Sequence, residues 1–555
     1  MIRPLSAVRA YRRIKRYRQV SFTLAKYGFG DIADRVGLGS LRNRLRGTPE
    51  PVTVTPQRVR MALAELGPTY VKFGQLLSTR PDIVPDAYIQ ELEKLQDDVP
   101  PFDFAEVKQT FEDELGAAPH LLFQEFSEPV LASGSIAQVH KAQLTSGDWV
   151  AVKVRRPGIR RLIEIDLAIL SDLAGLIERH IPELRWLQPE NLVDQFARTI
   201  RRELDFQAEG QAIDRFRHNF EDDPTRFVPR VFWAFSSERI LTTELVEGVK
   251  VTNVAELEAR GFNKREVAKN GARSILREVF EFRLFHADPH PGNFFVIEGN
   301  AIAVIDYGIV GRIDDETAEQ LAVLLSAIVQ RDTDGVLRVF RALGLLRDEV
   351  DVSLLKFDLE EFIDRYYGLP LAKLNAERVI TDLLHIVRRH RIILPINLAL
   401  LGRMLAVASG VGRNLDPEFN IVAEATPFIR SFLASRADPR RSARKALKTW
   451  SMYLRLIRAL PADIEEITGK LKKGQIGFML HHEGLTRFIL EMDRSSNRLA
   501  FAMIVAALII GSSLMINLGR GPALFGFSVL GVVGYVIAGL LGLWLVIAIL
   551  RSGRI

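Results

Sequence analysis

The segment Phe285-His286-Ala287-Asp288-Pro289-His290-Pro291-Gly292-Asn293 constrains the fold more than any other part of this chain. It sets a His-x-Asp-x4-Asn spacing, and Asp306-Tyr307-Gly308 lies a short run beyond it. Between the two, apolar Phe294 to Ile297, a turn at Glu298-Gly299-Asn300 and apolar Ala301 to Ile305 predict a β-hairpin. The residue types point to phosphoryl transfer. Asp288 can orient or deprotonate a nucleophile, while Asn293 and Asp306 offer hard oxygen ligands to magnesium on nucleotide phosphates. An Asp-aromatic-Gly triplet alone is usually an ordinary turn. The spacing and the hairpin ahead of it make this one informative.

That order resembles the catalytic loop, hairpin and metal-binding Asp-x-Gly of protein kinases. The resemblance requires a lysine on an earlier strand, and Trp149-Val150-Ala151-Val152-Lys153-Val154 supplies Lys153 after the turn Ser146-Gly147-Asp148. In isolation such a lysine marks an exposed strand face; here its context assigns it to the nucleotide phosphates. Ile136 to Leu144 reads as the preceding strand. Ala132-Ser133-Gly134-Ser135 occupies the phosphate-covering position without a Gly-x-Gly-x-x-Gly pattern. Glu203, in a run from Arg201 to Glu209, is the carboxylate expected to pair with Lys153, and Ile159 to Glu178 reads as an inserted helix. Arg230 to Phe235 and Arg239 to Glu244 read as two more strands, after which the backbone of Glu244 and Val246 would meet an adenine. Beyond Gly308 the chain enters Asp314-Asp315-Glu316 almost at once, a helix start with an N-cap aspartate. No segment ending in Ala-Pro-Glu fits there, so an ordinary protein loop is not the expected substrate.

The two ends carry a different signal. Arg3, Arg9, Arg12, Arg13, Lys15, Arg16 and Arg18 interrupt any secretory signal. A helix here shows Val8, Tyr11 and Ile14 on one side and could lie on an anionic membrane surface; a solvated basic arm is an equal reading, and a mitochondrial transit peptide a third. Leu499 to Leu518 and Pro522 to Leu550 contain no charged residue, and each is long enough to cross a bilayer core of about 30 Å. Asn517 to Pro522 reads as the turn between them. Gly534, Ala538 and Gly542 form a small-residue ridge suited to close helix approach, against the alternative of two buried core helices. Arg494, Arg498, Arg551 and Arg554 place both ends, and the catalytic body, on the cytoplasmic side of a bacterial inner membrane; Arg520 opposes this slightly. The chain has no cysteine, which excludes disulfides, thiolate catalysis and Cys-based metal sites.

Further residues resemble the UbiB family of atypical kinase-like proteins, which act in ubiquinone (coenzyme Q) biosynthesis. Gly67-Pro68-Thr69-Tyr70-Val71-Lys72-Phe73-Gly74-Gln75-Leu76-Leu77-Ser78-Thr79-Arg80-Pro81-Asp82 is similar to that family's Lys-x-Gly-Gln helix, Glu203-x-Asp205 to its Glu-x-Asp motif, and Ser135 to His140 to its nucleotide loop. A second tetrapeptide, Lys472 to Gln475, lacks the flanking residues and is read as a decoy. The resemblance implies that Lys72 and Gln75 guard the nucleotide pocket with Asp205 and Glu209 around it, and that Glu203 joins Lys153 and Asp288 in catalysis. It also implies that Ala132, Ser133, Gly134, Ser135, Glu244 and Val246 line the nucleotide, with Asn293 and Asp306 on the metal. The family's loop is commonly an alanine run, and Gly134 departs from it by adding backbone freedom, which leaves the preference between ATP and ADP open.

The expected architecture is α+β: a protein-kinase-like two-lobe fold with an N-terminal helical extension, a helical C-lobe and a C-terminal two-helix transmembrane hairpin. Its segments are a basic arm over 1–50, the extension over 51–126, an N-lobe over 127–248, the C-lobe and a helical extension over 249–491, and the hairpin over 495–551. Pro439 to Arg455, basic with Trp450 and Tyr453, is more simply a solvated helix face than a membrane contact. The expected function is a membrane-anchored ATPase supporting quinone biosynthesis with ATP and Mg2+. Rival readings are a lipid or small-molecule kinase acting on an isoprenoid or phenolic intermediate, and a nucleotide-binding scaffold. Expected partners are membrane lipid, a quinone-precursor or isoprenoid-like molecule, and quinone biosynthesis enzymes. Nucleic acid is not among them, since no binding module is present and membrane positioning accounts for the basic residues.

Overall fold

Tyr17, Val20 and Leu24 recur at helical spacing and turn one face of the N-terminal helix inward. In the computed structural model this helix, α1, runs Pro4–Lys26. The structure describes residues 4–29, 54–95, 99–288, 290–347, 350–366, 376–436, 485–518, 523–524 and 527–551. Chain contacts divide the protein into two units, Met1–Ser442 and Ala443–Ile555. The second half of α1 is not a free arm. Arg16 Nε donates to Asp166 at 2.7 Å and its Nη2 to the Leu66 carbonyl at 2.6 Å. Asp166 is fully buried and also accepts from the Thr69 hydroxyl at 2.8 Å. A buried carboxylate stripped of its cation costs about 3–5 kcal/mol, so this pair pins α1 to the body. The side chains of Val8 and Tyr11 lie outside the described residues.

The helices α2 (Pro56–Leu66), α3 (Pro68–Ser78), α4 (Asp86–Leu92) and α5 (Phe104–Leu115) follow, with a short helical turn over Pro119–Leu122. Gly67 separates the first two at φ 92, a left-handed conformation that lets one helix end and the next begin without a spacer. The N-lobe sheet then forms from β1 (Glu125–Ser133), β2 (Ala137–Gln143) and β3 (Trp149–Arg155), joined later by β5 (Ile240–Glu244) in the order β1-β2-β3-β5. On β3, Val150, Val152 and Val154 are fully buried against Val107 and Phe111 of α5, so the two-residue period sends Lys153 and Arg155 to the other face. Helix α8 (Phe206–Asn219) packs against β5, while α6 (Ile159–His180) and α7 (Pro189–Glu203) pack on each other and on α3.

Arg230 to Phe235 does not form a strand. It makes a single bridge, Val231 to Thr243, and a 3-10 turn over Trp233–Phe235. The Thr242 hydroxyl donates to the Phe235 carbonyl and Ser236 Oγ accepts from the Thr242 N–H, so side chains occupy groups that a ladder needs.

In the C-lobe, β4 (Arg226–Phe227), β6 (Val249–Lys250), β8 (Phe294–Ile297) and β9 (Ala301–Val304) make a second sheet in the order β4-β9-β8-β6. Helix α9 (Lys264–Arg277) passes through a π-turn over Glu278–Phe282 into β7 (Leu284–His286), which pairs with β10 (Val310–Arg312). The predicted hairpin forms in register Phe294 to Val304, with Gly299 at φ 77 in its turn. Helices α10 (Asp315–Gln330), α11 (Thr333–Ala342), α12 (Val352–Tyr366), α13 (Ala376–Arg389), α14 (Ile396–Leu415) and α15 (Ile421–Arg436) complete the unit. Asp314 accepts from the Thr317 N–H at 2.6 Å, the cap expected from sequence.

The second unit holds α16 (Leu485–Leu518) and α17 (Val529–Arg551). The second apolar helix starts at Val529 rather than near Pro522, because β11 (Ala523–Leu524) pairs first with β12 (Phe527–Ser528). Ser495–Asn517 and Val529–Val546 are long and apolar enough to cross a membrane. A Cβ on Gly534 would lie 2.2 Å from Ser512 Oγ, and one on Gly542 3.9 Å from Val505, so the small-residue ridge faces α16. Leu499, Leu514, Leu540 and Leu543 stay exposed among the described residues, which is not the burial of a soluble core pair. The segments around Trp450 and Lys472 lie outside the described residues.

Candidate nucleotide site

Lys153 leaves β3 toward α8 and meets Glu209, with Nζ 3.0 and 2.9 Å from its two carboxylate oxygens. Asp306 stands 3.7 Å from the same ammonium, and the Phe206 ring lies beneath it at 5.3 Å. The carboxylate expected here was Glu203, and the structure corrects that pairing. Glu203 ends α7 and meets Lys72 of α3 at 2.7 Å instead. Asp205 explains the exchange. Its side chain accepts from the N–H groups of Gln207 and Ala208, capping α8 and starting a new helix whose first turn carries Glu209. Asp205 is therefore a helix cap rather than a pocket contact.

Charge and burial compete at this cluster. Burial alone would lower the Lys153 ammonium, but Asp306 and Glu209 more than offset it and hold it above its ordinary value. Burial pushes Glu209 up to about 7, with Asp306 adding to the rise and Lys153 opposing it. Burial would also raise Asp306, yet Lys153, the Gly308 N–H, His286 and Lys72 hold it well below the usual carboxylate range. The Asp306 side chain is 43 % exposed, so the neighbouring charges and the Gly308 N–H outweigh burial there. Asp306 Oδ1 accepts from the Gly308 N–H at 2.9 Å.

The loop that follows β7 is fastened from below. His286 Nε2 bonds the Asp306 carbonyl, and the His286 N–H donates to Glu278 at 2.9 Å. Glu278 in turn meets Arg226, both side chains being 2 % exposed, and Arg226 reaches the Tyr307 hydroxyl at 3.5 Å. The Asn293 carbonyl accepts from the Ile305 N–H at 3.2 Å, which brings Asn293 beside Asp306 across the mouth of the hairpin. Asp288 is half-buried, two residues after His286. Among the described residues no cluster of three His, Cys, Asp or Glu could hold a metal. One carboxylate and one amide suit a magnesium that takes its other oxygens from phosphates and water.

Above the cluster, Gly134 donates to the Ala137 carbonyl at 2.7 Å, closing a tight turn after β1, where Ala132 and Ser133 still pair with β2. Arg156 holds that turn, donating to the Gly134 carbonyl at 3.2 Å and the Pro100 carbonyl at 3.0 Å. Ser135 Oγ is buried without a hydrogen-bond partner, an orphan that a phosphate oxygen would satisfy. Glu244 ends β5 and donates its N–H to the Arg230 carbonyl, with Val246 two residues on. Gln75 does not reach the pocket; its Nε2 donates to the Leu95 carbonyl at 3.2 Å. Sequence reasoning missed Arg155, which bonds the Leu204 carbonyl and Glu238 and so fixes the α7–α8 junction. The two-residue period that places Lys153 places Arg155 on the same face, so the signal was available. Arg156, Glu278 and Arg226 had none.

The chain matches three family models: an ABC1 atypical kinase-like domain over residues 94–340, a UbiB helical domain over 359–420, and an ABC1/UbiB kinase-like C-terminal domain over 483–551. It is 31 % identical to an uncharacterized protein in the hydrogenase 1 5′ region of Clostridium pasteurianum, over 98 % of this chain and 100 % of that one. It is 35 % identical to a probable protein kinase UbiB of Marinobacter nauticus, over 72 % of this chain and 75 % of the relative, and 33 % identical to a namesake in Aliivibrio fischeri, over 77 % and 80 %. A solved structure of an Rv3197–erythromycin complex from Mycobacterium tuberculosis is 25 % identical, with a TM-score of 0.47, covering 65 % of this chain and 92 % of that one.

Proposed function

The chain belongs to the ABC1/UbiB family of atypical kinase-like proteins, and from that premise we propose that it is a membrane-anchored ATPase supporting ubiquinone biosynthesis. The observation that carries this reading is the pair of lysines over one acidic site. Lys153 binds Glu209 beside Asp306, and Lys72, from a helix outside the kinase-like core, binds Glu203. Lys153 would contact nucleotide phosphates, and Asn293 and Asp306 would hold Mg2+ on ATP, which neutralises charge as it develops on the transferred phosphoryl group. Asp288 would orient the attacking water or hydroxyl, and Ser135 would meet a phosphate. Glu244 and Val246 would border the adenine.

Lys72 places a cation next to the carboxylates where a protein substrate's hydroxyl would arrive. Only β10 separates Gly308 from the α10 cap, which leaves little chain for docking a peptide. Both features favour water, or a phenolic or isoprenoid intermediate, as acceptor. The apolar helices of the second unit would anchor the protein in a bacterial inner membrane with the kinase-like unit on the cytoplasmic side. Quinone precursors and the enzymes that process them are the fitting partners. The test is ATP turnover by the full chain in bilayers, with and without phenolic quinone-like compounds, followed by mass spectrometry. We expect Mg2+-dependent phosphate release with no phosphorylated product. A stoichiometric phospho-lipid or phospho-phenol would favour the small-molecule kinase. Asp306→Asn should abolish Mg2+-dependent nucleotide binding, and an unchanged affinity would remove the metal assignment.

A further inference from the structure

Helices α9 and α15 bound an open cleft of about 560 Å3 on the kinase-like unit, lined by none of the residues assigned to the nucleotide. Its size falls within the range of ligand pockets, roughly 300–1,000 Å3. A second crevice, behind the catalytic loop and reached by Ser274, His286 and Arg226, measures only about 60 Å3 and suits a few ordered waters. The larger cleft has a distinct chemistry. Arg265, Lys269 and Arg273 recur every four residues along α9, so one exposed helix face presents three cations, each about 6 Å further along the axis. Arg265 is committed in part to Asp416, 3.5 Å away. Lys269 and Arg273 have no hydrogen-bond or ion-pair partner among the described residues. Of the two acids in the lining, Glu266 accepts from Asn300 at 2.9 Å, and Glu424 on the facing helix makes no ion pair with either cation.

The floor is apolar. Leu276 is 2 % exposed, Phe428 packs on the same core cluster, and Pro427 sits inside α15, where it cannot continue the helical hydrogen bonding. A solvated basic helix face would need neither a concave wall nor this floor. Two unpaired cations one turn apart, one of them an arginine fork, match a phosphate or diphosphate group, and the floor matches an apolar chain attached to it. We propose that this cleft binds a phosphate-bearing amphiphile, either the headgroup region of an anionic phospholipid or a soluble prenyl diphosphate. The site stands apart from the nucleotide reading and does not rest on it.

The experiment is calorimetric titration of the full chain in uncharged detergent, with excess non-hydrolysable nucleotide to occupy the other site. The probes are geranyl diphosphate, dihexanoyl phosphatidylglycerol below its micellar concentration, and inorganic pyrophosphate. Binding of geranyl diphosphate, of the phospholipid or of both supports the site and identifies the source. The K269Q/R273Q double variant should weaken that binding at least tenfold, and Arg341→Gln, on an exposed position of α11, should leave it unchanged. Phe428→Ser keeps every charge and should weaken the amphiphiles but not pyrophosphate, which separates the site from a loss of fold in the double variant. Absence of binding by either amphiphile, equal affinity in the double variant, or pyrophosphate binding as tight as geranyl diphosphate would overturn the proposal.

Discussion

Two carboxylates six residues apart, Glu203 and Glu209, exchange the roles that sequence alone assigns. A continuous helix through both would have left the choice between them to the lysine's reach. Asp205 instead breaks the helix and restarts it, which turns Glu209 onto Lys153 and leaves Glu203 for Lys72. The cap was visible in the sequence as an aspartate before Phe206; its consequence for phase was not, because α7 and α8 meet at an angle set by Arg155 and the Leu204 carbonyl. Glu209→Gln should therefore weaken nucleotide binding about tenfold or more, the loss of roughly 1.4 kcal/mol of charged contact. Glu203→Gln should change it far less, and titration with Mg-ATP distinguishes the two. Glu209 also predicts a pH dependence. Its folded value, about 7, lies above the usual glutamate value of about 4.3, so the folded state holds the extra proton between them. Stability without nucleotide or metal should then fall as pH rises from about 4.5 to 7, and Glu209→Gln should flatten that slope relative to the parent. Thermal midpoints across this range, compared between the two proteins, check the sign.

Helix α3 carries the motif with the most local chemistry, and packing explains more of it than the pocket does. A Cβ on Gly74 would stand 2.4 Å from Leu95 Cδ1 and 2.8 Å from Leu63 Cδ1, so the glycine admits those side chains. The end of the helix is latched to the helical region that follows the kinase-like core. Arg80 binds Asp82 at 2.7 Å with both side chains buried, Asp82 accepts from the Leu394 N–H at 3.1 Å, and Arg403 donates to Ser78 at 3.2 Å. Arg80→Ala should cost about 3–5 kcal/mol, because it leaves a buried carboxylate without its cation. A loss below about 1 kcal/mol in denaturant unfolding would show that the latch is not closed in solution. This latch was illegible in sequence, since its halves lie more than three hundred residues apart. The valine alternation of β3 and the glycine turn of the hairpin were legible because a two-residue period and a positive φ are local. Arg230 to Phe235 failed as a strand for the converse reason: its hydrogen-bonding groups were taken by serine and threonine side chains that composition does not reveal.

At the scale of the whole molecule, the membrane anchoring proposed for the two apolar helices and the gate proposed for Lys72 can be tested separately. Truncation after Ser495 removes both candidate spans. It should leave the kinase-like unit soluble, or extractable by salt alone, because Arg13 and Arg16 of α1 are bound to Asp172 and Asp166. Retention through carbonate washing would reveal another integral anchor. The proposed gate would act on what reaches the site. Lys72 is 19 % exposed and sits on Glu203, in a unit whose Asp306 feels its charge. On the proposed reading, a protein substrate would have to bring a hydroxyl to Asp288 past α3, which the buried contacts of Arg80, Asp82 and Asp166 hold in place. The native protein should thus hydrolyse ATP slowly and phosphorylate no protein in trans. Lys72→Ala removes one cation without touching the latch, so the helix stays folded while the entrance loses its charge and bulk. That variant should gain self-phosphorylation, detectable by mass spectrometry, and should fail to restore quinone levels in a deletion strain. Stoichiometric phosphorylation of a protein partner by the unmodified chain, lost in Asp288→Asn, would mean that the helix opens readily and that an ordinary protein kinase is the better account.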